Sequence, residues 1–195
     1  MLTVLRTIGW LACVVYSTIP VFWLVIHTRI DFWRSRRKLP YGFIVPGWMA
    51  SWVVLALLTM RWRTVAMYRS AWMWVPAIGL FVLGFWLYRK SGVNFSKQQL
   101  YGLPELKAGA AEQRLVVTGI RAKVRHPVYL AHLCEMLAWS VGTGLAVCYG
   151  LTALAVVTGA VMIRKEDVEL ERRFGEEYRA YRGQVPAAIP RWRRG

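Results

Sequence analysis

Acidic residues, histidine and cysteine are all scarce in this sequence, and each shortage removes a class of function. Ten Asp and Glu stand against 26 Lys and Arg, a formal net charge of +16. Three histidines, His27, His126 and His132, are far fewer than a membrane di-iron centre requires. His126, His132 and Glu135 are the ligand set left to weigh, and we expect no metal. The three cysteines all fall in apolar sequence and none is spaced as CxxC, so neither a zinc site nor a disulfide is expected. No repeat or low-complexity segment occurs. The Gly-Thr-Gly at 142–144 follows no strand and is not a dinucleotide fingerprint.

Charge is also missing from several long runs. Residues 7–27, 43–60 and 71–88 contain no Asp, Glu, Lys or Arg, and residues 148–163 form a shorter run of the same kind. Residues 128–147 are long enough to span but hold His132 and Glu135. A bilayer-spanning helix needs about 20 apolar residues. With 56% hydrophobic residues and eleven Trp, a soluble bundle would have too much apolar surface to hide. The expected fold is therefore an all-α integral membrane protein of about five transmembrane helices. The first run has Arg6 as its only early charge and no small-residue cleavage site after it, so it reads as a retained helix. Trp and Tyr near the ends of the runs, such as Trp62, Tyr68, Trp72 and Trp74, read as interfacial anchors.

The basic residues report orientation. Loop 28–42 holds five, loop 89–127 holds eight and the tail from Arg164 holds nine, together 22 of 26. They alternate by loop as the positive-inside rule expects, which places the N-terminus outside and the C-terminus in the cytoplasm. Anionic lipid, not nucleic acid, is the implied counterpart, and a bacterial inner membrane the expected location. Almost no loop separates the fourth and fifth runs. They should form an antiparallel hairpin, with Gly142, Gly144 and Gly150 letting the backbones approach. In the tail, Leu170, Phe174, Tyr178 and Tyr181 recur at helical spacing. This predicts an amphipathic cytoplasmic helix, stopped by Pro186 and Pro190.

Ionisable residues inside membrane sequence are costly and point to function. His126, Tyr129, His132 and Glu135 line one face of the fourth helix. His132 and Glu135 either bond each other or take part in chemistry. The hairpin should bring Arg125 and His126 against Glu166 and Asp167 at one membrane surface. Pro127 suits the first turn of a helix, which puts His126 at its cap beside unsatisfied N–H groups.

RHPVY at 125–129, followed by EDVELERRFGEEYRAYRGQVPAAIP at 166–190, resembles the isoprenylcysteine carboxyl methyltransferase family. The shared pattern is RHPxY, an acidic pair, Leu170, Phe174-Gly175, Tyr178, Tyr181 and Val185-Pro186. NFS at 94–96 and LVVTG at 115–119 are similar to the family's preceding loop. Phospholipid methyltransferases share a similar RHPxY and acidic tail. The first three apolar runs make 1–88 three N-terminal transmembrane helices, and the resemblance implies a catalytic, cofactor-binding region over 89–195. It implies S-adenosylmethionine held by Gln113, Arg114, Leu115, Val116, His126, Pro127, Val128 and Tyr129, with His132 nearby and Glu166 on the charged end. It also implies a lipophilic acceptor entering from the membrane, its acid group oriented by Arg125 or Arg164. Three positions depart from the pattern: Arg121 stands where Tyr is usual, Met162 where an Arg is common, and Ala187 where a basic residue is frequent. Alternatives are a phospholipid or small-molecule N- or S-methyltransferase of the same architecture, and a non-enzymatic membrane scaffold.

Overall fold

The computed structural model describes residues 2–34, 41–92 and 114–190. Its helices are α1 (Leu2–Thr28), α2 (Ile30–Arg34), α3 (Tyr41–Thr59), α4 (Trp74–Gly92), α5 (Pro127–Thr143), α6 (Ala146–Phe174) and α7 (Glu176–Gln184), with short 3-10 turns between them. Among the described residues there is no strand. One antiparallel bridge, Ala66 to Leu145, ties the α3–α4 connection to the α5–α6 turn.

Four stretches are long and apolar enough to cross a membrane: Leu2–Thr28, Gly42–Trp62, Ala71–Gly92 and Ala146–Phe174. The sequence suggests five. The remaining helix, α5, has 17 residues and carries His132 and Glu135. At 1.5 Å per residue it is about 25 Å long, a little short of the roughly 30 Å hydrocarbon core. It packs most extensively on α4 and also touches α1 and α6, while α1 packs along α6. Packed among three neighbours, α5 can hold polar side chains that a lipid-facing helix could not.

The core follows this arrangement. Trp10, Cys13 and Val14 of α1 meet Met136 of α5 and Leu145, Cys148 and Leu151 around the start of α6. Helix α3 lies at the margin and is tied to α1 by indole N–H donors. Trp48 and Trp52 both donate to the Thr18 hydroxyl (2.8 and 3.1 Å), and Trp10 donates to that of Thr59 (3.0 Å). These bonds work inside the bundle, where no water competes.

The hairpin forms as expected, but its glycines serve other contacts. A Cβ on Gly142 would lie 2.7 Å from Trp74, and Gly150 faces open space. Gly144 takes the left-handed conformation that ends α5 (φ +67°) and presses against Tyr68. Tyr68 is held there by Val141 O (2.8 Å) and the Tyr149 hydroxyl (2.6 Å), so it serves the turn and not only the interface.

The tail also differs from expectation. The helix that follows the hairpin turn continues without a break through Phe174, and about three turns of polar helix extend beyond Ile163. Gly175, at φ +57°, ψ −128°, then turns the chain into α7. The stripe read as one amphipathic helix is thus split, with Leu170 and Phe174 on α6 and Tyr178 and Tyr181 on α7. Only glycine is at ease at that backbone angle, which explains the break.

Candidate active site

Helix α5 begins as its sequence requires. Pro127 occupies the first position, where a missing N–H costs nothing, and His126 is the N-cap. The His126 ring does not cap its own helix. Its Nε2 lies 3.0 Å from Asp167 Oδ1, and its Nδ1 lies 3.3 Å from Glu166 Oε2. The acidic pair is carried on the polar extension of α6, and the hairpin brings it to the start of α5.

Asp167 is the centre of the arrangement. Its second oxygen accepts from Arg125 Nη2 at 2.8 Å, and the pair is almost fully buried. The Tyr178 hydroxyl donates to the oxygen that faces His126, and Arg182 Nε stands 3.8 Å from the other. The backbone completes the joint. Arg125 N donates to Pro186 O (2.9 Å) and His126 N to Ala187 O (2.8 Å). Arg125 Nη1 donates to Val185 O and to Arg182 O (3.3 Å). Tyr181 donates to Arg121 O (2.6 Å), and Arg121 Nη1 donates to Arg125 O (2.9 Å). The segment after α7 is therefore strapped across the start of α5.

The charges reinforce one another. Burial works against the charged form of His126, but Glu166 and Asp167 outweigh it and push the pKa up to about 9. Burial likewise works against the Glu166 carboxylate. The His126 imidazolium, with His27 and Arg121, outweighs it and brings the pKa down to about 2. Asp167, opposed by burial in the same way, is held far below the usual carboxylate range by bonds from His126, Tyr178 and Arg125. Burial, then the bond to Asp167, raises Tyr178, so it remains a donor. At neutral pH the site is an imidazolium between two carboxylates.

Arg125 Nε and Glu166 Oε2 remain over among the buried polar atoms of the joint. Glu166 Oε2 is buried, and its approach to His126 is not aligned as a hydrogen bond, so it has no hydrogen-bond partner. A buried carboxylate oxygen left in this way is a ready acceptor for a ligand ammonium. Opposite it, the first turn of α5 offers backbone N–H groups that have no acceptor within the helix. The donor set therefore suits a zwitterion such as an amino-acid end group.

Of the residues expected at the site, Arg125, His126, Pro127 and Glu166 come together here, and Tyr129 stacks near His126 with ring centroids 5.8 Å apart. Half-buried Val128 follows Pro127 in the first turn of α5. Arg114 is exposed, and Leu115 and Val116 are half-buried in an irregular lead-in to the 3-10 turn at Gly119–Ala122. Gln113 lies outside the described residues. Arg164 is exposed on α6, while Met162 is fully buried. His132 lies deeper, between the rings of Tyr16 and Tyr88 (centroids 5.4 and 5.7 Å).

Sequence reasoning gave Asp167 no separate role, and took Tyr178 and Tyr181 as a packing stripe. His27 is absent from the candidate site residues read from the sequence. Yet His27 ends α1 near enough to Glu166 to lower that carboxyl. The adjacent acids and the Tyr spacing were visible; the approach of His27 to Glu166 depends on tertiary packing alone.

No family model matches the chain. It is similar to protein-S-isoprenylcysteine O-methyltransferase of Mus musculus, 25% identical over 149 residues that cover 73% of this chain and 49% of that protein. The Homo sapiens protein of the same name is 24% identical with the same coverage. Protein-S-isoprenylcysteine O-methyltransferase B of Arabidopsis thaliana is 29% identical over 124 residues, 60% of each chain. The chain spans about half the length of the mammalian relatives it matches. No solved structure matches.

Proposed function

We propose that this chain, which is similar in sequence to the isoprenylcysteine carboxyl methyltransferases, is a membrane methyltransferase that binds S-adenosylmethionine at the joint of α5, α6 and the terminal strap. The observation that carries the reading is the Glu166 oxygen without a hydrogen-bond partner, buried beside His126 at the first turn of α5. Glu166 would receive the ammonium of the cofactor's amino-acid end, and the N–H groups of Val128 and Tyr129 its carboxylate. When bound, the cofactor supplies a methyl group already activated by its positive sulfur.

The protein's part is then mainly alignment and exclusion of water, which can lower a barrier substantially without a general base. Arg125 holds the strap through Asp167, Val185 and Arg182. Its role as an acceptor clamp would require it to leave these partners. Arg164, exposed at the same end, is the freer cation for an acceptor's acid group. The acceptor is lipophilic and reaches the site from the bilayer. The region 89–195 is the catalytic part, and 1–88 supplies three further membrane helices, with the end of α1 reaching the site. The distribution of basic residues supports a cytoplasmic position for this face, and the membrane proposed is a bacterial inner membrane with anionic lipid as its counterpart.

Calorimetry with S-adenosylhomocysteine tests the reading. Wild type should bind, and Glu166→Gln should lose about 1.5–3 kcal/mol, the range for a charge-assisted hydrogen bond. A folded wild-type protein that does not bind at all would return the chain to a non-enzymatic membrane scaffold. Equal affinity in the two proteins would remove Glu166 from the site.

A further inference from the structure

A second polar group of residues lies deeper in the bundle and has no part in the joint just described. Glu135 is the one carboxylate within the apolar runs of the sequence. The Tyr16 hydroxyl of α1 lies against it. One turn nearer the joint, the His132 ring sits between the rings of Tyr16 and Tyr88, and its buried Nδ1 has no hydrogen-bond partner. Gly84 of α4 makes the room. A Cβ there would come within 3.1 Å of Glu135 Cγ and 3.1 Å of the Ala131 carbonyl. Three helices thus converge on one carboxylate, one imidazole and two phenols.

What this group lacks is a cation. The apolar runs hold no Lys or Arg, and among the described residues none of the ion pairs reaches Glu135. A carboxylate removed from water needs a counter-charge or a proton. Two phenols stand around it: the Tyr16 hydroxyl lies against Glu135, and the Tyr88 ring lies 5.7 Å from that of His132. The site is also reachable: Glu135, His132 and Tyr16 are only half-buried, and Tyr88 is 37% exposed. Its chemistry repels a carboxylate and suits an ammonium that can also donate a hydrogen bond to His132.

We infer that Glu135, His132, Tyr16 and Tyr88 form an intramembrane site for the ammonium end of a lipophilic amine that enters from the bilayer. The site stands independently of methyl transfer.

Photolabelling tests it. Purified protein in detergent is irradiated with dodecyl probes that carry a diazirine and end in an amine, an alcohol or a carboxylate. A diazirine phosphatidylethanolamine forms a fourth arm. The amine probe should label peptides around Tyr16, Tyr88 and residues 129–136 on the order of tenfold above the alcohol, with the carboxylate lowest. Glu135→Gln should reduce the amine to the alcohol's level. Labelling by the phospholipid as well as the alkylamine points to a headgroup, and labelling by the alkylamine alone to a free amine. Equal labelling by the three dodecyl probes in wild type, or an amine preference that survives Glu135→Gln, overturns the site. S-adenosylhomocysteine titration of the same protein reports separately on the cofactor joint, so failure of one reading is not mistaken for failure of the other.

Discussion

Asp167 serves several donors at once, and the consequences of losing it follow from burial. Arg125 and His126 would be left as buried cations with one fewer partner, and Tyr178 with no acceptor. Removing one member of a buried ion pair costs about 3–5 kcal/mol. Asp167→Ala should therefore lower the unfolding temperature in detergent sharply, with Asp167→Asn intermediate; unchanged unfolding in both would deny it the central place. The same joint sets a pH limit. His126 is raised from 6.5 to about 9, so its contribution is complete below pH 6.5 and disappears as pH rises through 9. Glu166 is lowered from 4.5 to about 2, so its contribution is present above 4.5 and disappears as pH falls towards 2. Stability should hold between about pH 5 and 6.5 and decline towards pH 9 to 10. In His126→Gln the alkaline decline should be shallower, as measured by thermal unfolding across that range.

At the level of elements, the RHP start of α5 was fully legible. Proline placement and capping are local rules, and Pro127 and His126 obey them. The facing of His126 and Glu166 was legible too, because a tight hairpin fixes which ends meet. The strap was not. Its bonds run from main-chain N–H groups of 125 and 126 to the carbonyls of 186 and 187, and backbone pairing leaves no side-chain signature. Nor was the bend at Gly175, since the Leu170 to Tyr181 periodicity continues across it. That bend can be tested. Gly175 has open space around its Cβ position, so steric contact is not at issue, and the cost of Gly175→Ala is purely one of backbone angle. A penalty of about 1–3 kcal/mol is expected. It should appear as faster amide exchange in α7, whose docking depends on the turn. Exchange equal to wild type would mean the chain can bend there without glycine.

Over the whole molecule, the joint and the Ala66–Leu145 bridge mark opposite ends of the bundle, because α5 runs from one to the other. Reporters fused after residue 65 and after residue 195 should therefore fall on opposite faces of the membrane, the second in the cytoplasm, where 22 of the 26 basic residues then lie. Both reporters on one face would reject the arrangement. The strap has a further consequence, one of time. Arg125 and the carbonyl of Val185 that receives it are 60 residues apart. At roughly 5–20 residues per second, synthesis separates their appearance by about 3–12 s. During that interval the start of α5 has left the ribosome while its partners do not yet exist. A nascent chain that has made every membrane helix but not yet residues 185–187 thus still lacks the strap over the start of α5.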